Sequence, residues 1–65
     1  MIKVNDTELE WGKGLTVEKL LRENNFIFHL SVVRINGLNI NKKSYHSQII
    51  NDGDDIKIMH LVAGG

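Results

Sequence analysis

The sequence predicts an α+β fold, a mixed sheet of four to five strands packed on one main helix. Three observations carry that prediction. Residues 1–11 and 31–40 each place β-prone residues on both sides of a turn dipeptide, the pattern of a hairpin. Between them, Val17, Leu20 and Leu21 recur at helical spacing. Last comes Ile56-Lys57-Ile58-Met59-His60-Leu61-Val62, an apolar, β-prone run that needs a partner from elsewhere in the chain.

Taken in order, Ile2 and Val4 share one face of a first strand and Lys3 takes the other. Asn5-Asp6 supplies turn chemistry, and residues 7–11 return with Leu9 and Trp11 inward, Glu8 and Glu10 outward. Gly12-Lys13-Gly14 breaks the strand. Thr16 is a candidate N-cap, Glu18 suits the positive end of the helix dipole, and Leu15 can staple onto Leu20. Glu18, Lys19, Arg22 and Glu23 stay outside, and Asn24-Asn25 ends the helix. A helix this short is marginal alone, so its apolar stripe must be held against the sheet.

Residues 26–30 read as a connector that buries at least one phenylalanine. Residues 31–36 read as a strand, and Asn36-Gly37 is a type I′ hairpin signal leading into Leu38-Asn39-Ile40. Residues 41–48 are polar, with Tyr45 as their one large apolar group, and read as a crossing loop or a single helical turn. Asp52-Gly53-Asp54 is a further turn, with the last strand beginning near Asp55. That strand, the longest, belongs in the centre, beside and parallel to the first, because the long crossing connections permit it. The result is a β-grasp-like roll spanning residues 1–62, with Ala63-Gly64-Gly65 expected as a flexible C-terminal tail.

At 65 residues this is one domain near the lower size limit for folding without staples. It has little room for a buried active site. The absence of cysteine excludes thiol catalysis, disulfides and thiolate metal sites, and fits a reducing compartment. No secretion pattern and no membrane-length apolar run occur, so a cytoplasmic protein is expected. Eight basic residues balance eight acidic ones, removing the net field that draws proteins to nucleic acid or anionic lipid. Neither nucleic acid nor membrane is an expected partner. Lys42-Lys43, Lys13 and Arg34 read as solvated charges, with Tyr45 too isolated to make a stacking platform.

His29, His46 and His60 lie in different elements and in no nucleophile or metal motif, and the Gly12-Lys13-Gly14 spacing is not a phosphate cradle. No catalytic residue, metal site or intrinsic cofactor is expected. His60 alternates with Ile56 and Ile58 and reads as a half-buried residue at the strand end. Met59 and Leu61 point to the opposite face, either as ordinary apolar surface or, with Val62, as a docking patch beside the tail. A diglycine at the end of a chain can be a disordered terminus or a backbone stalk for a narrow slot, since it has no Cβ.

Ile35-Asn36-Gly37, Asp52-Gly53-Asp54 and Val62-Ala63-Gly64-Gly65, at this length and element order, resemble the ThiS family, the sulfur carriers of thiamine biosynthesis. Ubiquitin-like carriers share this β-grasp (ubiquitin-like) fold and the diglycine. The molybdopterin-synthase small subunit, MoaD, is similar but longer, with prolines before its tail. Relatives commonly show a Val-Pro-Arg-like stretch after the fourth strand, where this chain has Asn41-Lys42-Lys43.

The resemblance implies a carrier and not an enzyme. Gly65 is the expected site of covalent attachment, first as an acyl-adenylate and then as a thiocarboxylate, with Gly64 and Ala63 providing passage into partner active sites. The implied partners are an E1-like, ThiF-type adenylyltransferase that uses ATP and Mg²⁺, a ThiG-type thiazole synthase, and a sulfur donor such as a cysteine desulfurase relay. A MoaD-like carrier for molybdopterin or another acceptor, and a ubiquitin-like modifier, are the competing expectations. So is a nucleic-acid-binding β-grasp module, in which a free diglycine is incidental.

Overall fold

The computed structural model describes residues 1–60; Leu61, Val62, Ala63, Gly64 and Gly65 lie outside the described residues. Five strands, β1 (Ile2–Val4), β2 (Thr7–Leu9), β3 (Ser31–Ile35), β4 (Leu38–Asn39) and β5 (Asp55–His60), form one sheet in the order β2-β1-β5-β3-β4. One helix, α1 (Val17–Glu23), covers one face. β5 is central and parallel to β1, as its length and the long crossing connections predict, and it is antiparallel to β3. This is the β-grasp arrangement.

The first hairpin turns through Asn5 and Asp6, both at positive φ (50° and 69°), a conformation that asparagine and aspartate tolerate best among residues with a side chain. The second turns through Asn36 and Gly37 (51° and 85°), the type I′ geometry expected of Asn-Gly. β2 ends at Leu9, two residues short of the expected strand. Trp11 instead reaches across to the segment before β5, its indole N–H donating to the Ile50 carbonyl at 2.7 Å.

The helix starts and stops where its capping residues dictate. The Thr16 hydroxyl accepts from the Lys19 N–H at 3.2 Å, and the two preceding orphan amides, of Val17 and Glu18, donate to the Gln48 and Tyr45 carbonyls. At the other end Asn25 takes a left-handed φ of 62°. The Asn25 N–H then donates to the Arg22 carbonyl and the Phe26 N–H to the Leu21 carbonyl, a Schellman closure that brings Phe26 back to the core. Val17, Leu20 and Leu21 are buried, packing with Ile2, Val4, Val33, Ile35, Ile56 and Ile58 from the sheet.

The connector 26–30 contains a 3-10 turn, Phe28–Leu30. Phe26 and Phe28 are both half-buried against the core. The crossing segment contains a second 3-10 turn, Lys42–Ser44, capped by Asn41, whose side-chain oxygen accepts from the Lys43 N–H at 2.9 Å. Directly after it Tyr45 is 1% exposed, in the core and not on a loop surface. Its hydroxyl accepts from the Val33 N–H at 3.1 Å and donates to the Ser31 carbonyl at 3.0 Å. The Ile40 N–H bonds the Val33 carbonyl at 2.9 Å just where β4 gives out. The phenol therefore continues the ladder along β3 beyond the end of β4.

Candidate functional site

The candidate site is the far end of β5 and the sheet face turned away from α1. β5 is held on one side by β3 from Ile56, opposite Ile35, to His60, opposite Ser31. On the other side β1 pairs only with Asp55 and Ile56 before its turn. The Asn5 side chain carries the contact further, donating to the Ile58 carbonyl at 3.1 Å and accepting from the Ile58 N–H at 2.8 Å. A carboxamide thus replaces one residue of a parallel ladder. At the start of β5, Asn36 does the same: its N–H bonds the Asp55 carbonyl at 2.8 Å, and its side-chain oxygen accepts from the Asp55 N–H at 2.9 Å. β5 is thus held at its start by Asn36 and at Ile58 by Asn5, two asparagines that belong to hairpin turns.

Alternation along β5 sends Ile56 and Ile58 into the core and Asp55, Lys57 and Met59 to the open face. Met59 is 47% exposed and faces half-buried Val32 across the β3–β5 pair. The Lys57 ammonium lies 2.8 Å from the Asp6 carboxylate. That hydrogen bond holds the Asp6 carboxyl below its ordinary 3.8 and raises Lys57 above its ordinary 10.5.

Met59 therefore stands on the expected open face. Leu61 and Val62, expected to complete the docking patch, lie outside the described residues, as do Ala63, Gly64 and Gly65 of the tail. His60 is exposed, contrary to the half-buried position its alternation suggests. It shares a face with Ile58 and stands opposite Ser31 at the end of the described strand. Sequence patterning also missed Val32 and Arg34 as companions of Met59 and Lys57. The signal that finds them is the β3–β5 register, which pairs residues more than twenty positions apart.

Among the described residues, no group of three or more His, Cys, Asp or Glu side chains is placed to hold a metal. A groove of about 310 Å³ lies between α1 and the connector, lined by Leu21, Phe26 and Phe28 with the Glu18–Arg22 ion pair at its edge. It holds no nucleophile beside a base. Tyr45, being buried, offers no face for a nucleobase. No helix among the described residues is long and apolar enough to cross a membrane.

These features define a small β-grasp domain whose distinctive surface is the end of its central strand. Over residues 1–65 the chain matches the ThiS family, and it belongs to that family, the sulfur carriers of thiamine biosynthesis. Its fold is similar to the crystal structure of a thiamine biosynthesis protein (ThiS) from Geobacter metallireducens, with a TM-score of 0.80 at 21% identity over 98% of this chain and 97% of that one. A solution NMR structure of a thiamine biosynthesis protein from the same organism gives a TM-score of 0.77 at 21% identity, over 98% of this chain and 86% of that one.

Proposed function

We propose that the chain carries sulfur as a thiocarboxylate on Gly65 for formation of the thiamine thiazole. A carboxylate is a poor electrophile. In the proposed sequence a carboxylate oxygen of Gly65 attacks the α-phosphorus of ATP on an E1-like, ThiF-type enzyme that holds the Mg²⁺, and pyrophosphate leaves. A persulfide from the donor relay then displaces AMP from the acyl carbon, and a thiol cleaves the resulting acyl disulfide, leaving the thiocarboxylate on Gly65 and a disulfide on the donor side. The terminal sulfur adds to an electrophilic carbon of the acceptor on a ThiG-type synthase, and water then cleaves the acyl–sulfur bond, leaving sulfur on the acceptor and returning Gly65 as a carboxylate. ATP and Mg²⁺ belong to the activating partner, and residues 63–65 act as the tail that enters each active site, Gly64 and Ala63 offering little bulk on the way.

The observation that carries this proposal is family membership over the whole chain, with Gly64-Gly65 following the central strand in sequence. The partner-facing surface is taken to include Met59, continued by Leu61 and Val62. Incubation with the cognate activating enzyme, ATP, Mg²⁺ and a sulfur donor is expected to raise the intact mass by the difference between sulfur and oxygen. An unchanged mass while the enzyme activates another carrier refutes the proposal. A higher-mass conjugate that survives reduction and denaturation indicates a protein modifier instead.

A further inference from the structure

The open face of the sheet carries two adjoining rows across the β3–β5 pair. In one, Arg34 and Lys57 stand directly opposite each other in antiparallel register. In the next, toward the end of β5, Val32 faces Met59. Like charges directly opposite in a sheet destabilise the pairing. Lys57 is answered by Asp6 at 2.8 Å, whereas the Arg34 Nε donates to the neutral Asn39 side chain at 2.7 Å. Among the described residues Arg34 makes no ion pair. One row further back the charges are mixed, Lys3 lying between Glu8 and Asp55. The cationic row is thus confined to the strip beside the apolar one.

We infer that the Arg34–Lys57 row receives carboxylates of the activating protein partner, while Met59 and Val32 seat against an apolar surface next to them. This rests on the carrier function proposed above. A partner carboxylate on this row meets the Arg34 guanidinium, which has no ion-pair partner among the described residues, with the Lys57–Asp6 pair beside it. A second copy of this chain meets the row with an identical cationic row, so charge complementarity selects against self-association through this face.

The test measures adenylation by the purified activating enzyme against carrier concentration for wild type, Arg34→Gln, Arg34→Glu and Arg34→Lys, at low and high salt. Arg34→Glu is expected to raise KM about tenfold with kcat unchanged, and Arg34→Lys to stay near wild type. Wild-type KM should rise with salt more steeply than that of Arg34→Gln. The thermal midpoint of Arg34→Gln should stay close to that of wild type, because only the exposed Arg34–Asn39 hydrogen bond is lost. A KM for Arg34→Glu within about twofold of wild type overturns the inference while leaving the carrier function intact. So does a wild-type dimer in sedimentation that Arg34→Glu dissolves. Failure of unsubstituted carrier to be adenylated instead removes the carrier function itself, and this inference with it.

Discussion

Tyr45→Phe isolates a single oxygen in the core. The ring sits 1% exposed, with Phe28 edge-on to it at 5.1 Å, and the substitution preserves nearly all of that packing. What it removes is the hydroxyl shared by the Val33 N–H and the Ser31 carbonyl, both on residues with no exposed surface. A buried donor left unpaired costs about 1–3 kcal/mol, so the expected loss is about 2 kcal/mol. At ~0.05–0.15 kcal/mol per residue a domain of this size has roughly 3–10 kcal/mol in total. The same loss corresponds to a fall in midpoint of about 8–16 °C for a small domain.

Urea unfolding followed by Trp11 fluorescence measures this, because the half-buried indole is tied to Ile50 and loses that environment on unfolding. Amide exchange at Val33 gives a second, local readout and should accelerate. A loss below about 0.5 kcal/mol refutes the idea that the phenol completes the β3 ladder, since it means that water or a relaxed backbone serves equally well.

Leu20→Ala, at a helix position only 3% exposed, should cost about 2–5 kcal/mol by the same unfolding measurement. Asn5→Ala removes both bonds to Ile58 at a residue with positive φ, and should cost about 1–3 kcal/mol; Asn5→Gly relieves the backbone component alone and should fall between it and wild type. The depressed Asp6 carboxyl contributes stability above the unfolded carboxylate value that is lost as pH falls through its folded value, below 3.8. The raised Lys57 contributes below the ordinary 10.5 and loses its part as pH climbs past that value. Carboxyl carbon shifts should therefore titrate lower for Asp6 in wild type than in Lys57→Met, and an identical midpoint in both rejects the pairing. Under the proposed chemistry, Gly64→Val should block adenylation by adding a branched Cβ in the passage to the active site, with the unfolding midpoint unchanged; normal adenylation of that variant rules out a narrow slot.

The elements were legible in the sequence wherever a local rule governs them. Thr16 caps, Asn24-Asn25 ends the helix, Asn36-Gly37 turns, and the alternation of Ile56 and Ile58 with Lys57 and Met59 assigns both faces of the central strand. What local rules do not reach is the role of a polar side chain whose partner lies far along the chain. Asn5 looks like turn chemistry, yet its amide is bonded to a residue fifty-three positions away. Tyr45 lies among polar residues and is read naturally as loop, although it is spent on two backbone groups of β3. His60 fails for a related reason: alternation states which face it takes, but not whether that position is covered. For the candidate site, Met59 was found from alternation alone, whereas Arg34 and Val32 become its neighbours only through register.

β5 is the last described strand in sequence and the middle one in space. Until it inserts, the β1–β2 and β3–β4 hairpins share no backbone ladder, and a lone two-stranded hairpin is at best marginal in water. Ile2, Val4, Val33 and Ile35 can be covered by α1, but the sheet beneath them stays split down its middle. During synthesis, then, folding waits for Ile56 and Ile58, and closure depends on contacts of long sequence separation. A chain interrupted before that point remains open and is exposed to proteolysis. The last-made described strand is therefore the one that joins the two hairpins into a single sheet, and a chain cut short before Ile56 lacks that join.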